Sequence, residues 1–518
     1  MAPFFGFSIE MSVVIQVVGK NSSYLQVPFL NLMSIMRDRA GRVNIRVGGI
    51  PMNDTSALRL GIAEVAEAIL GDNLIGFQLG NEPDLYAGHG HRSLSYGPED
   101  YFGEFAVVVQ AIANDSNIPI RNNLIAPSPS GTHWSPEMVW DTGFITAYQP
   151  QLGALSVEHY PMDNCAEAFP DSGFGPIINP QDVFASYLTH ASGIDIVQPY
   201  LNTANIAQQV GKPFLMFETN TASCGGFAGL SDSFGAALWA LDYGLQMAYS
   251  NFSGALLHVG GESDTYNPFT PPPTNQSTTK QWTVGPVFYA AVAVAETLGR
   301  SNTSQILDIQ ANGNNMYTPG YAVYDGGNLD RVALFNYMTD PSGANDYTAS
   351  ISVTGGDTPA QVSVKYLLAP SVSEKFNITW AGQTLGGQFE SDGRFQGSES
   401  VSTVPCDQTA GTCNINVPAP GFALVFLNSN ALSDSEPSAT NTFPTTVATK
   451  PGHQTFSVDP AALATSNGHS GSDRQNHTAG TSKGSSDARK QADVLPRMAG
   501  LLVAMLTGLT ILLGTLHR

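Results

Sequence analysis

Basic residues are scarce in this chain. Of 518 residues only 22 are Lys or Arg, against 43 Asp or Glu, and the formal charge is -21. A surface this acidic repels phosphates, which argues against nucleic acid and anionic membrane surfaces as partners. Charge of either sign is thin at 13%, while apolar residues reach 42%, enough for a large core. Cysteine is rare as well: Cys165, Cys224, Cys406 and Cys413 are the whole complement. None has metal-ligand spacing, and His89, His91, His159 and His258 lack it too, so no metal and no cofactor are expected. Cys406 and Cys413 bracket a short loop that a disulfide would close, which makes Cys165 and Cys224 the second pair. Four buried free thiols are the alternative.

A leader is also missing. The opening MAPFFGFSIEMSVV has no basic segment and no cleavage site, and reads as a core strand. The other end does carry a targeting pattern. Ala499 to Leu516 is an almost unbroken apolar run, preceded by a polar spacer and by the small residues Gly484, Ser485 and Ser486. Small site, spacer and apolar tail form the pattern of a GPI-attachment signal; a single transmembrane anchor is the alternative. Both require secretory entry, so the gene is expected to encode a leader upstream of Met1, and the location is expected to be extracellular or cell-surface. Sequons at Asn21, Asn53, Asn114, Asn251, Asn275, Asn302, Asn377 and Asn476 agree with that route.

Between these ends the apolar pattern divides the chain. Residues 1–312 alternate short apolar runs with helical segments. The runs are Pro3–Glu10, Val43–Gly49, Leu74–Gly80, Asn123–Pro127, Ala154–Tyr160, Pro213–Glu218 and Gly254–Gly260. Each reads as a strand buried on both faces. Helices are expected over Ala57–Leu70, Tyr101–Ala113, Ser233–Ser250 and Gly285–Gly299. Repeated strand–helix units predict an α/β fold, a (β/α)8 TIM barrel with its chemistry at the carboxyl ends of the strands. Those ends read Glu10, Arg46, Asn81-Glu82, His159-Tyr160, Glu218 and His258. Residues 313–430 change to short β-prone runs split by Gly, Asn and Asp turns, the pattern of an antiparallel β-sandwich. Residues 431–496 are Ser/Thr-rich and nearly free of aromatics, so they predict a disordered stalk ahead of the tail at 497–518.

One interval is too short. Only thirty-six positions separate Arg46 from Glu82, with a single helix between them. If these residues tip the second and fourth barrel strands, one strand–helix unit of about 30 residues is absent.

Glu82 ends one apolar strand in Leu79-Gly80-Asn81-Glu82-Pro83, and Glu218 ends another in Phe217-Glu218-Thr219-Asn220. Two carboxyls facing each other at a barrel mouth are what retaining glycoside hydrolysis needs, one as acid/base and one as nucleophile, about 5–5.5 Å apart. Asn81 can hydrogen-bond a sugar 2-hydroxyl, and Tyr160 can donate to the nucleophile and hold it ionised.

At these residues the chain resembles glycoside hydrolase family 79, which holds β-glucuronidases and heparanase. The matching pieces are FFGFSIE, IRVGG, FQLGNEPDLY, EHYP and the long stretch FETNTASCGGFAGLSDSFGAALWALDYGLQMAY, with coverage of roughly residues 3–428. The resemblance implies Glu82 as acid/base beside Asn81, Glu218 as nucleophile, and Tyr160 as the tyrosine of the sixth strand. It implies Glu10 on sugar hydroxyls, and Gly225 and Tyr266 at the carboxylate of a uronic acid. It departs at Ser223, where heparanase-like members carry a carboxylate-binding tyrosine, and at Cys224, where they carry glycine. The expected partner is therefore a β-linked, uronic-acid-terminated carbohydrate, with membrane contact only through the C-terminal anchor. Two other readings stay open: a retaining β-glycosidase on a neutral sugar, and a non-catalytic anchored wall protein with a degenerate barrel.

Overall fold

The computed structural model describes residues 3–435, except 22–23, 49–56, 172, 273–280 and 354–356. The expected anchor signal and the expected stalk beyond Ser435 lie outside the described residues. Among the described residues no helix is long and apolar enough to cross a membrane.

Seven parallel strands form the first sheet: β1 (Phe5–Glu10), β2 (Ile45–Gly48), β3 (Phe77–Gln78), β4 (Leu124–Pro127), β5 (Leu152–Glu158), β6 (Phe214–Thr219) and β7 (Gly254–Val259). Their order is β2-β1-β7-β6-β5-β4-β3. This is the order of a curled (β/α) barrel in which, among the described residues, β2 and β3 are the two edges and do not pair. The short interval between Arg46 and Glu82 has this as its structural counterpart. The edge also leaves apolar surface uncovered. Ile45 and Val47 of β2 are 36% and 42% exposed, and Ile62, Val65 and Ile69 of helix α2 (Ala57–Leu70) are 53%, 57% and 75% exposed. A following strand and helix would cover such positions in a complete barrel.

Helices pack outside the sheet. Those used below are α1 (Val27–Ala40), α3 (Pro98–Asn114), α4 (His190–Val197), α5 (Phe234–Tyr249) and α6 (Pro286–Leu298). Ser233 caps α5 by accepting from the Ala236 N–H, and α6 starts on Pro286 and stops at Gly299 in the left-handed region. Both are buried nearly all round, because a second domain covers the face that would otherwise meet water.

That domain is an antiparallel sheet ordered β8-β9-β10-β16-β12-β13, from Ser304–Asp308, Gly320–Asp325, Asn328–Asn336, Gly421–Phe426, Gln361–Leu368 and Thr379–Trp380 respectively. β14 (Ser402–Pro405) also pairs with β12, and β11 (Tyr347–Ile351) pairs with β15 (Cys413–Val417) as a second layer. Alternation along the strands divides the faces. Val332, Leu334, Val364 and Val425 meet Ile415 and Val417 of the small layer. Ala333, Phe335, Phe422 and Leu424 join the barrel core instead. The sheet begins at Ser304, earlier than the expected boundary at 313, because β8 pairs with β9. Residues 431–435, which composition assigns to the stalk, continue helix α7 (Ser429–Ser435), with Ala431 and Ser435 buried.

Two buried polar clusters join the domains. Glu296 of α6 accepts from Arg39 Nε (2.6 Å), Lys365 Nζ (3.0 Å) and Trp380 Nε1 (2.8 Å). His190 of α4 lies between Asp242 of α5 (2.9 Å) and Asp308 of β8 (3.0 Å), and Tyr321 and Tyr337 both donate to Asp242. Both expected disulfides are formed, Cys165–Cys224 and Cys406–Cys413.

Candidate active site

The carboxyl ends of the seven strands gather Glu10, Arg46, Gln78, Asn81, Glu82, Glu158, Tyr160, Glu218, His258 and Tyr266 at one rim. Glu218 is the hub. Its Oε1 accepts from Tyr160 Oη at 2.9 Å. Its Oε2 accepts from Arg46 Nη1 and, at 3.4 Å, from Ser8 Oγ. His258 Nδ1 lies 3.4 Å from the same oxygen without hydrogen-bond alignment, so it acts there mainly as a charge. Burial alone would raise the Glu218 carboxyl, but His258 and Arg46 outweigh it and hold it well below the usual carboxylate range.

Glu82 is displaced the other way. Burial raises its carboxyl well above the ordinary value, and Glu158, Glu218 and Asp84 add to this against a smaller opposing effect of Arg46. Local backbone sets its place. Gly80 takes φ +95°, and a Cβ there would stand 3.0 Å from the Tyr101 ring, so glycine is required. Glu82 itself is left-handed at φ 48°. That is an uncommon state for a non-glycine residue, held by its N–H on Ser128 O and by the following turn Pro83–Leu85. Asp84 fastens this turn to the loop after β4, accepting from Ser130 N (2.8 Å), Ser130 Oγ (2.7 Å) and His133 N (3.2 Å).

Arg46 links the two groups. Besides Glu218 it donates to Asn81 Oδ1, to Gln78 Oε1 (2.7 Å) and to Glu158 Oε1 (3.2 Å). A guanidinium on one open edge thus reaches residues on and just beyond the other, spanning with side chains a gap that lacks backbone pairing. Gly48 makes room, since a Cβ there would lie 2.6 Å from the guanidinium carbon.

The remaining expected residues surround this hub. Glu10 is raised to about 7 by burial, partly offset by His258 and by Ser12. Tyr160 and Tyr266 are held as phenols, burial raising both. Tyr266 is 4% exposed, with its ring 6.4 Å from Tyr160 and 5.8 Å from His258. Gly225 sits in a loop where Cys224, Gly225 and Gly226 have φ of 59°, 92° and 76°. The Cys165–Cys224 disulfide ties that loop to the loop after β5, where Ser223 bridges Asp163. Asp264 stands against it, its Oδ1 2.9 Å from where a Gly225 Cβ would be.

Sequence reasoning did not single out Glu158 and Gln78, and recorded Arg46 and His258 only as polar strand tips. Glu158 stands in direct register with Glu218 on the adjacent strand. It is fully buried and its carboxyl is raised to about 8. Its only trace in the sequence is an acidic residue at the end of an apolar strand, the same signal that marks Glu82 and Glu218. Among the described residues no group of His, Cys, Asp and Glu could hold a metal ion.

Fold and rim together define a (β/α) barrel with a carboxyl-rich rim and a C-terminal β-domain. The pattern of the "Glycosyl hydrolase family 79 C-terminal beta domain" matches residues 320–424. A beta-glucuronidase of Aspergillus niger is 27% identical over 359 residues, 64% of this chain. The match spans 63% of that relative's length. A beta-glucuronidase of Neurospora crassa is 25% identical over 391 residues, 67% of either chain. In fold, the chain is similar to a 4-O-alpha-L-rhamnosyl-beta-D-glucuronidase from Fusarium oxysporum. The TM-score is 0.64 at 20% identity, covering 82% of this chain and 96% of that one. A family 51 alpha-L-arabinofuranosidase from Bifidobacterium longum shares the fold at TM-score 0.51 and 13% identity, covering 83% of this chain and 96% of its own.

Proposed function

We propose that the chain is a retaining exo-β-glycosidase that removes terminal β-glucuronic acid from wall or proteoglycan glycans. The observation that carries this is the opposite displacement of two carboxyls at one rim. Arg46 and His258 draw Glu218 toward the ionised form, while burial and like charge push Glu82 toward the protonated form. In the first step Glu218 attacks the anomeric carbon as Glu82 protonates the leaving oxygen. In the second, Glu82 as carboxylate takes a proton from water, which displaces Glu218 from the sugar. Asn81, its Oδ1 engaged by Arg46, keeps its amide N–H groups for the sugar 2-hydroxyl.

The relatives' names favour a glucuronide, and the left-handed run through Gly225 beside Tyr266 suits a carboxylate. A neutral sugar is the second reading, favoured by Asp264 next to Gly225 and by Ser223 in place of a tyrosine. Aryl β-glucuronide, β-glucoside and β-galactoside, offered in parallel, separate the two. The first reading expects the glucuronide to be preferred, and Glu218→Gln to lower kcat on it by about 10³-fold or more. Full activity in that variant sinks the assignment. Inactivity of the intact protein on every glycoside would favour a non-catalytic wall protein. The C-terminal run supports a lipid anchor at the cell surface, for which release from membranes by a phosphatidylinositol-specific phospholipase is the check.

A further inference from the structure

Glu158 has no part in the double displacement, yet it is fully buried beside the nucleophile. Its Oε1 accepts from Gln78 Nε2 and Arg46 Nη2. Its Oε2 has no hydrogen-bond partner among the described residues. The groups that face it are Arg46 from β2, Gln78 from β3, Glu82 from the turn after β3, Glu218 from β6 and His258 from β7. Two buried carboxyls, Glu158 and Glu218, and the half-buried Glu82 therefore share one guanidinium and one imidazole. Carboxylates gathered around so little counter-charge resist ionising together. Glu218 holds both cations, through Arg46 Nη1 and the adjacent His258. A proton on Glu158 Oε2 leaves Oε1 free to accept the two bonds it makes.

We propose that Glu158 is a positioning residue that works as the neutral acid. It fixes Arg46 and Gln78 across the unpaired β2–β3 edge without drawing the Arg46 charge away from Glu218. Ionised Glu158 would compete with Glu218 for that guanidinium and weaken the attack on the anomeric carbon. This rests on the assignment of Glu218 as nucleophile, and it makes a demand that the acid/base pair does not. The reaction should contain an alkaline ionisation belonging to neither Glu82 nor Glu218.

An aryl β-glucuronide with a strongly activated leaving group removes the need for Glu82 as acid, so the remaining alkaline limb of its kcat/KM profile reports on the nucleophile's surroundings. Glu158→Gln keeps the shape and the neutral state. The expected result is a kcat/KM within about threefold of the parent at neutral pH, with that alkaline limb lost or moved up by at least a pH unit. A fall of more than about tenfold at neutral pH, or a limb that does not move, overturns the proposal, because a merely structural contact would not govern the limb. Infrared titration gives a readout that needs no activity. The C=O stretch of a protonated carboxyl should persist at neutral pH in the intact protein and diminish in Glu158→Gln; equal bands in the two proteins overturn the proposal. Should Glu158→Gln fail to fold, the same band must survive in both Glu82→Gln and Glu10→Gln, and its loss in either one overturns the proposal. If the intact protein cleaves no glycoside, the catalytic reading fails while the infrared band still decides the state of Glu158.

Discussion

Arg46 concentrates the polar contacts of the rim in one side chain. It is 6% exposed, touches Glu218, Glu158, Asn81 and Gln78, and lies 5.3 Å above the Phe217 ring. Its planar fork reaches several acceptors at once, which a lysine ammonium cannot copy. Arg46→Met is expected to lower kcat by about a hundredfold or more, the scale seen when one preorganised donor is lost. It should also shift the acid limb of kcat to higher pH, because Glu218 then lacks the cation that depresses it. Arg46→Lys should recover the limb in part and kcat poorly. Steady-state pH profiles on an aryl β-glucuronide measure both, and an unchanged acid limb in Arg46→Met would contradict this account of Glu218.

At the scale of elements, the join between barrel and β-domain depends on charge as well as apolar packing. His190, 2% exposed, is raised to about 10: burial disfavours its charge, but the Asp242 and Asp308 hydrogen bonds more than restore it. A folded value above the unfolded one means the stabilisation is complete below the unfolded value of about 6.5 and is lost as pH rises through about 10. His190→Gln should therefore destabilise by about 3–5 kcal/mol at pH about 6, the cost of breaking a buried ion pair, and by much less at pH about 11. Thermal unfolding at the two pH values checks this, and an equal loss at both would mean that His190 acts by packing alone.

At the scale of the molecule, the seven-stranded barrel leaves an apolar flank. Ile69 is 75% exposed on α2, near Val65 at 57% and Ile62 at 53%. Apolar side chains on one face beside an unpaired strand edge favour self-association. Ile69→Lys is expected to leave the melting temperature and kcat unchanged, because it removes no buried contact, and to lower concentration-dependent association in sedimentation velocity. A fall in melting temperature would show that the flank is covered in the folded protein.

Sequence alone carried the strand and helix periodicity, the β-domain, both disulfides and the strand-end placement of Glu82 and Glu218, because each leaves a local mark: an apolar run with an acidic tip, a turn, a cysteine spacing. The short interval between Arg46 and Glu82 likewise pointed to the two edges that stay unpaired among the described residues. Tertiary structure alone decided that β2 and β3 become unpaired edges and that Arg46 spans them, since strand pairing joins residues far apart in the chain. It alone set Glu158 opposite Glu218 and drove Glu82 and Glu218 apart in acidity. Burial and neighbouring charge are properties of assembled space, and the same glutamate at a strand tip has an ordinary acidity until the other strands close around it.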